Sequence, residues 1–228
     1  MKTFFLLFLG MIYLLLAKSV ETAIFSNVYF LIGIGLLIAG IIRFIKEQYI
    51  YNNRLNEMKE ASEEELMAIP HTHCVISNDC LNALLLNEPT NTLFLVSRED
   101  LEEDLIKKEI SFNKIYEVAI VEDEMFIART SNSLISGSLL GEDLDIEEEE
   151  CDEEDPEYNI VSQLKLKIVA DNLSDPILEY VFLDSGEPIS REEDEYQEAL
   201  ELCEEWFQKI SVIIKRYELE RVPIRQWQ

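Results

Sequence analysis

The sequence predicts an α+β membrane protein: an N-terminal transmembrane helical hairpin, then an antiparallel sheet closed by one long C-terminal amphipathic helix. Three observations predict it. Two uncharged apolar runs fill most of residues 4–42, short β-branched and aromatic runs recur between 93 and 183, and a single apolar stripe at three-to-four spacing occupies 196–217. The expected organisation is a hairpin over residues 1–45, a connecting helix over 46–70, a cytoplasmic domain over 71–221 with an acidic insertion at 142–157, and a tail at 222–228.

Residues 4–17 read FFLLFLGMIYLLLA and residues 23–42 read AIFSNVYFLIGIGLLIAGII. At about 1.5 Å per helical residue the second run crosses a hydrocarbon core of about 30 Å. The first, even with residues 1–3, spans only about 25 Å. It therefore needs local thinning, or Lys2 and Lys18 reaching out to the two headgroup layers. Its alternative is the apolar core of a signal peptide behind Lys2, although no clear small-x-small cleavage site precedes Lys18.

Basic residues set the orientation. Arg43, Lys46, Arg54 and Lys59 follow the second run, against Lys18 alone before it, so residues from 43 onward are expected in the cytoplasm. If both helices stay, the outer turn is only a few residues long, which disfavours a receptor for an external ligand. Gly35 and Ala39, four apart, form a small-xxx-small pair that lets a second helix approach, and a homo-oligomer through this helix-packing face is one expectation. No ionisable side chain lies inside either run, which disfavours a transport path or proton relay through this chain alone.

Beyond Arg43 the chain keeps a helical habit, with Ile45, Tyr49, Leu55, Met58 and Leu66 among charges, until Pro70 stops it. Strands are then expected at 93–96, 109–112, 115–121, 125–128, 164–169 and 178–183. Glu122, Asp123 and Glu124 make the short link of a hairpin, and Asn172-Leu173-Ser174-Asp175-Pro176 is a turn cluster. Ser190 followed by Glu193 is the capping box of the last helix. Its stripe comprises Tyr196, Ala199, Leu200, Cys203, Trp206, Phe207, Ile210, Ile213, Ile214 and Tyr217, which read as core lining. A sheet buries such a stripe most simply by lying beneath it.

The strings NKIYEVAIVED (113–123), Thr130-Ser131, QLKLKIV (163–169), Pro176, Phe182-Leu183, then Tyr196, Ala199, Trp206 and SVIIKR (211–216) resemble, in this order, a bacterial and phage group of membrane-anchored proteins with a pleckstrin-homology-like (PH-like) domain. The resemblance covers roughly residues 90–217. It implies a small bent sheet or barrel capped by the C-terminal helix, joined to membrane segments in the bacterial inner membrane, with no catalytic residues to carry over. Where relatives tend to have an Arg-Gly pair and a long Gly-rich apolar hairpin after Thr130-Ser131, this chain has a shortened remnant, NSLISGSLLG, and then turns acidic.

Charge narrows the partners. Residues 1–60 carry six basic and four acidic side chains, net +2, whereas 61–228 carry thirteen and forty-two, net −29. So acidic a body disfavours nucleic acid and anionic lipid headgroups as direct partners of the domain. A hydrophobic content of 48 % excludes a wholly disordered chain, and 7 Gly and 4 Cys exclude collagen-like and disulfide-rich classes. Twelve of the sixteen residues at 142–157 are acidic. Glu147, Glu148, Glu149, Glu150, Asp152, Glu153, Glu154 and Asp155 are the candidate partner-binding residues, their alternative being a solvated insertion between two strands. Calcium is disfavoured because the ordered spacing and central Gly of its loop are absent, and Cys151 among these carboxylates is a poor nucleophile.

His71, His73, Cys74 and Cys80 are the only cluster of metal-type ligands, but their spacing is not that of a zinc site, and no metal or other cofactor is expected. No G-x-S-x-G elbow, phosphate loop or dinucleotide turn is present. The expectation is a non-enzymatic sensing or docking protein, multi-pass in the inner membrane and cytoplasmic in its C-terminal domain. Its partners would be the bilayer and a protein with a basic surface; the resemblance adds phage defence or superinfection exclusion by analogy. The alternative is an oligomeric membrane effector that perturbs the bilayer when its cytoplasmic domain is triggered.

Overall fold

The computed structural model describes residues 2–19, 23–133, 138–140 and 159–221. Two compact units divide the chain, Met1–Ala61 and Ser62–Gln228. The first is helical: α1 (Lys2–Ser19) and α2 (Ala23–Met67), whose residues from Ser62 on belong to the second unit. The connecting helix expected after residue 45 is no separate element, because no Pro or Gly interrupts the helical run between Arg43 and Met67. Among the described residues only the helix Ile24–Met67 is long and apolar enough to cross a membrane, with a window of mean hydropathy 2.4 that is 11 % buried. The apolar stretch of α1, Phe4–Ser19, falls short of that length.

Glycine lets α1 and α2 meet. A Cβ added to Gly10 would lie 3.1 Å from the Gly33 carbonyl oxygen, and one added to Gly33 would lie 3.1 Å from that of Gly10. Leucines fill the grooves on either side: Leu37 against Gly10, Leu14 against Gly33, and Leu7 against Gly40. Ser26 donates its hydroxyl to the Ala17 carbonyl at 2.7 Å, a side-chain hydrogen bond between the two helices. Many other apolar side chains point outward, among them Phe4 at 79 % and Leu31 at 69 % exposure.

In the second unit, β1 (His73–Ile76), β2 (Asn82–Asn87), β3 (Thr92–Ser97) and β4 (Ile106–Ser111) form an antiparallel meander. A 3-10 turn at Phe112–Lys114 leads to the second antiparallel sheet, of β5 (Ile115–Glu122), β6 (Met125–Ser131), β7 (Ile160–Ala170) and β8 (Ile177–Ser190), in the order β6-β5-β7-β8. The first sheet is buried on both faces in its middle. Leu84, Leu86, Leu93 and Leu95 enter the main core with Val118, Ile120, Leu164, Leu166 and Ile168, while Ala83, Leu85, Phe94 and Val96 form a smaller core with Leu66 at the end of α2. Ser62 and Arg98 tie the same residues of the second unit together: Ser62 donates to the Cys80 carbonyl at 2.6 Å, and Arg98 pairs with Glu65 at 3.0 Å.

The C-terminal helix α3 (Asp194–Arg221) closes the main core with Tyr196, Ala199, Cys203, Trp206, Ile210, Ile213 and Ile214. Its start differs from the expected box. The Ser190 N–H donates to Glu193 at 3.0 Å, but the Ser190 hydroxyl takes the N–H of Glu192 and the helix begins only at Asp194. The expected hairpin at Glu122–Glu124 is present as a two-residue turn with Asp123 and Glu124 both at positive φ, 43° and 72°. Side chains compensate: Asp123 accepts the N–H groups of Ser162 and Gln163, and Glu124 pairs with Lys165.

Candidate docking surface

Three regions bear on docking, and each can be built from its residues. The first is the outward face of α2. Gly35 and Ala39 are exposed, and a Cβ on Gly35 would meet nothing within 4 Å. The glycines that α1 uses are Gly33 and Gly40, seven apart and hence on one face. That heptad spacing was legible in the sequence but is distinct from the four-residue spacing of Gly35 and Ala39.

The second region is the pair of strands that flank the acidic insertion. Residues 141–158, and with them every candidate partner-binding carboxylate from Glu147 to Asp155, lie outside the described residues. The chain on either side of them is firmly held. Glu117, 1 % exposed on β5, accepts the Ser138 hydroxyl and the Leu139 N–H, each at 2.7 Å, and faces Arg129 at 3.4 Å. Burying a carboxylate this deeply requires such partners, so Glu117 fixes where the chain leaves β6. On the far side, Arg191 donates its backbone N–H to the Asn159 carbonyl at 3.0 Å as β7 begins.

The third region is the charged surface of the second unit, where most of the cations with described side chains pair with its own carboxylates. Lys165 and Lys167 lie between Glu124 and Glu179 on the outer face of the second sheet. The hydrogen bond from Lys165, then the charges of Lys165 and Lys167, hold the Glu124 carboxyl below its usual range. Lys108 pairs with Asp175, Lys209 with Glu205, and Lys215 with Glu218. Arg191 pairs with the buried Glu122, which also accepts the Tyr196 hydroxyl at 2.6 Å. Burial, then that hydrogen bond and the Glu122 charge, push the Tyr196 hydroxyl well above its ordinary pKa. Eight of the thirteen Lys and Arg of residues 61–228 pair with carboxylates of the same unit, and a net charge of −29 leaves the surplus as carboxylate.

The weighed metal ligands do not converge. His71 contacts the Ile69 carbonyl at 2.7 Å, His73 contacts Glu88 at 3.1 Å, and the Cys74 thiol lies 3.7 Å from the Met67 sulfur. Among the described residues no three His, Cys, Asp or Glu side chains are grouped to hold a metal ion. Burial, and then the charge of Glu63, raise the Cys74 thiol pKa, which lowers its reactivity. No family model, curated protein or solved structure matches this chain.

Proposed function

We propose that this chain is a non-enzymatic, membrane-anchored sensing or docking protein. Residues 1–45 form a transmembrane helical hairpin in the bacterial inner membrane, and the acidic domain faces the cytoplasm and meets a protein partner with a basic surface. The observation that carries this reading is the segregation of charge. An apolar helical unit of net charge +2 over residues 1–60, with Phe and Leu side chains exposed, precedes a folded unit of −29 whose bases are largely paired within it. The basic flank Arg43, Lys46, Arg54 and Lys59 supports the cytoplasmic side. Two four-stranded antiparallel sheets around one core, closed by a C-terminal helix, support a PH-like reading of the domain. Phage defence or superinfection exclusion is the setting that the resemblance suggests, by analogy alone.

The test is a mild-detergent pull-down of the full chain from its host at low and high salt, with partners identified by mass. A basic protein that is retained at low salt and released at high salt is the expected result. Capture that survives high salt undiminished refutes charge complementarity. A second reading, an oligomeric membrane effector, draws support from the unoccupied Gly35 face. It requires that expression depolarise cells and that Gly35→Leu abolish the effect; no depolarisation at any expression level rejects it.

A further inference from the structure

The first sheet ends at β1 and the second at β8, and no backbone ladder joins these two edges. Their direct link is the Tyr180 hydroxyl, 3.5 Å from the Val75 carbonyl, at the outer limit of a hydrogen bond. Between the two strands and the first turns of α3 lies a groove of about 410 Å³. Its floor is apolar: Val75 on β1, Tyr180 and Phe182 on β8, Ala199 and Leu202 on α3. The β7–β8 register skips Phe182, a bulge of the kind that re-aims a side chain, and its ring stands edge-on to Tyr180 at 4.9 Å between centroids. Leu202 is 43 % exposed, an apolar side chain with no reason in the fold to face water.

The charged residues of the groove's rim are all acidic, beside the uncharged Ser77, Asn78 and Asn82. Asp79, Asp184, Glu195 and Glu198 line it, and no Lys, Arg or His does so among the described residues. Two of these have structural employment. Asp79 accepts the Ser77 hydroxyl and the Leu81 N–H in the β1–β2 turn, and Glu195 sits in the first turn of α3, where the helix dipole favours it. Asp184 and Glu198 have neither role, and neither side chain has an ion pair or hydrogen bond among the described residues.

We infer that this groove takes an extended apolar peptide segment flanked by Lys or Arg, laid along β8 at residues 180–184. The inference rests on the docking reading above and gives it a contact surface. Five residues of extended chain cover about 16 Å. An open strand edge supplies main-chain hydrogen bonds to such a segment, and alternate side chains enter the apolar floor. Flanking cations meet Asp184 and Glu198, while the same rim repels phosphates, nucleic acid and anionic headgroups.

The probe is a display library of random dodecapeptides, selected on the full chain in nanodiscs of neutral lipid and counter-selected on empty nanodiscs. The most enriched peptide is then titrated by fluorescence anisotropy. Enriched sequences should carry an apolar run bracketed by Lys or Arg. Leu202→Asp should weaken binding at least about tenfold, equivalent to about 1.4 kcal/mol. Asp184→Lys combined with Glu198→Lys should weaken it similarly and flatten its salt dependence. All three positions are exposed, so circular dichroism and unfolding midpoints should match the parent. No enrichment over empty nanodiscs, enriched peptides without cations, or undiminished binding by Leu202→Asp overturns the inference.

The same variants, used in the pull-down beside a chain lacking 142–157, separate the two readings. Partner capture lost with Leu202→Asp and kept by the deletion supports the groove. Capture lost only with the deletion overturns the groove as the partner's seat and leaves the docking reading standing. Peptide binding in the groove without capture of any basic protein rejects the docking reading instead.

Discussion

Replacing Arg191 by methionine removes a guanidinium from Glu122 while keeping an unbranched apolar stem. Glu122 is 2 % exposed at the end of β5, with Arg191 on one carboxylate oxygen and the Tyr196 hydroxyl 2.6 Å from the other. Stripping one partner from a buried ion pair leaves an uncompensated charge and costs about 3–5 kcal/mol. The Arg191 side chain is 27 % exposed, so water partly replaces it and the lower figure, about 3 kcal/mol, is expected. Tyr196→Phe removes one hydrogen bond to a charged acceptor, about 2 kcal/mol. Replacing both charges, Arg191→Met with Glu122→Leu, removes the orphaned carboxylate and should recover most of the loss. The assay is urea unfolding of the full chain in detergent on a Trp227→Phe background, which leaves the buried Trp206 as the reporter. With a slope of about 2 kcal/mol per molar urea, the single variant should move the midpoint by about 1.5 M. A shift below about 0.3 M, or a double variant no more stable than Arg191→Met alone, refutes this account of what joins β5 to α3.

Cysteines placed at Ala17 and Ser26 should cross-link in the parent hairpin and fail to do so with Gly33→Leu, whereas Gly35→Leu should leave the cross-link intact; loss with both would show that the two faces of α2 are not distinct. Burial pushes the Cys203 thiol up to about 12, so its contribution is full below pH 9, its ordinary value, and is lost as pH rises toward 12, at about 1.4 kcal/mol per unit. Unfolding midpoints measured from pH 8 to 11 should therefore fall less steeply in Cys203→Ala than in the parent. Leu66→Ala should destabilise the second unit by about 3 kcal/mol, since Leu66 is fully buried against the first sheet; a cost below about 1 kcal/mol would place the end of α2 outside that core.

How far the fold can be read from the sequence depends on how each element is buried. The helix α3 buries one face, and its periodicity shows it: the stripe from Tyr196 to Ile214 is the buried face observed, whereas β5 is buried on both faces and is legible instead as the β-branched run IYEVAIV. The strand β2 escapes because its two faces are both buried, Leu84 and Leu86 in one core and Ala83 and Leu85 in the other, so NALLLN has no alternation to detect, and unlike β5 it carries no β-branched or aromatic residue to mark it as a strand. The strand β1 escapes because all four of its residues are half-buried at an edge. The start of α3 is displaced because Ser190 and Glu193 close a turn of their own before the helix, a geometry that the Ser-x-x-Glu spacing does not distinguish from a helix cap.

Sites divide along the same line between local and assembled features. The acidic surplus and the cationic flank of α2 are properties of composition, visible in one dimension. The groove is not, because it draws on residues 75–82, 180–184 and 195–202, which only the pairing of β1 and β8 with their sheets brings together. The glycines of α2 lie between these cases. Gly33 and Gly40 are two helical turns apart and share a face, while Gly35, two residues past Gly33, is rotated about 200° and falls on the opposite one. The sequence therefore encodes two small-residue faces on one helix, and the structure assigns the first to α1 within the chain. The second has no neighbour within 4 Å of a Cβ at Gly35, so a leucine there costs the folded hairpin nothing. Any effect of Gly35→Leu on cells must therefore arise outside the hairpin, from a second molecule or from the bilayer itself.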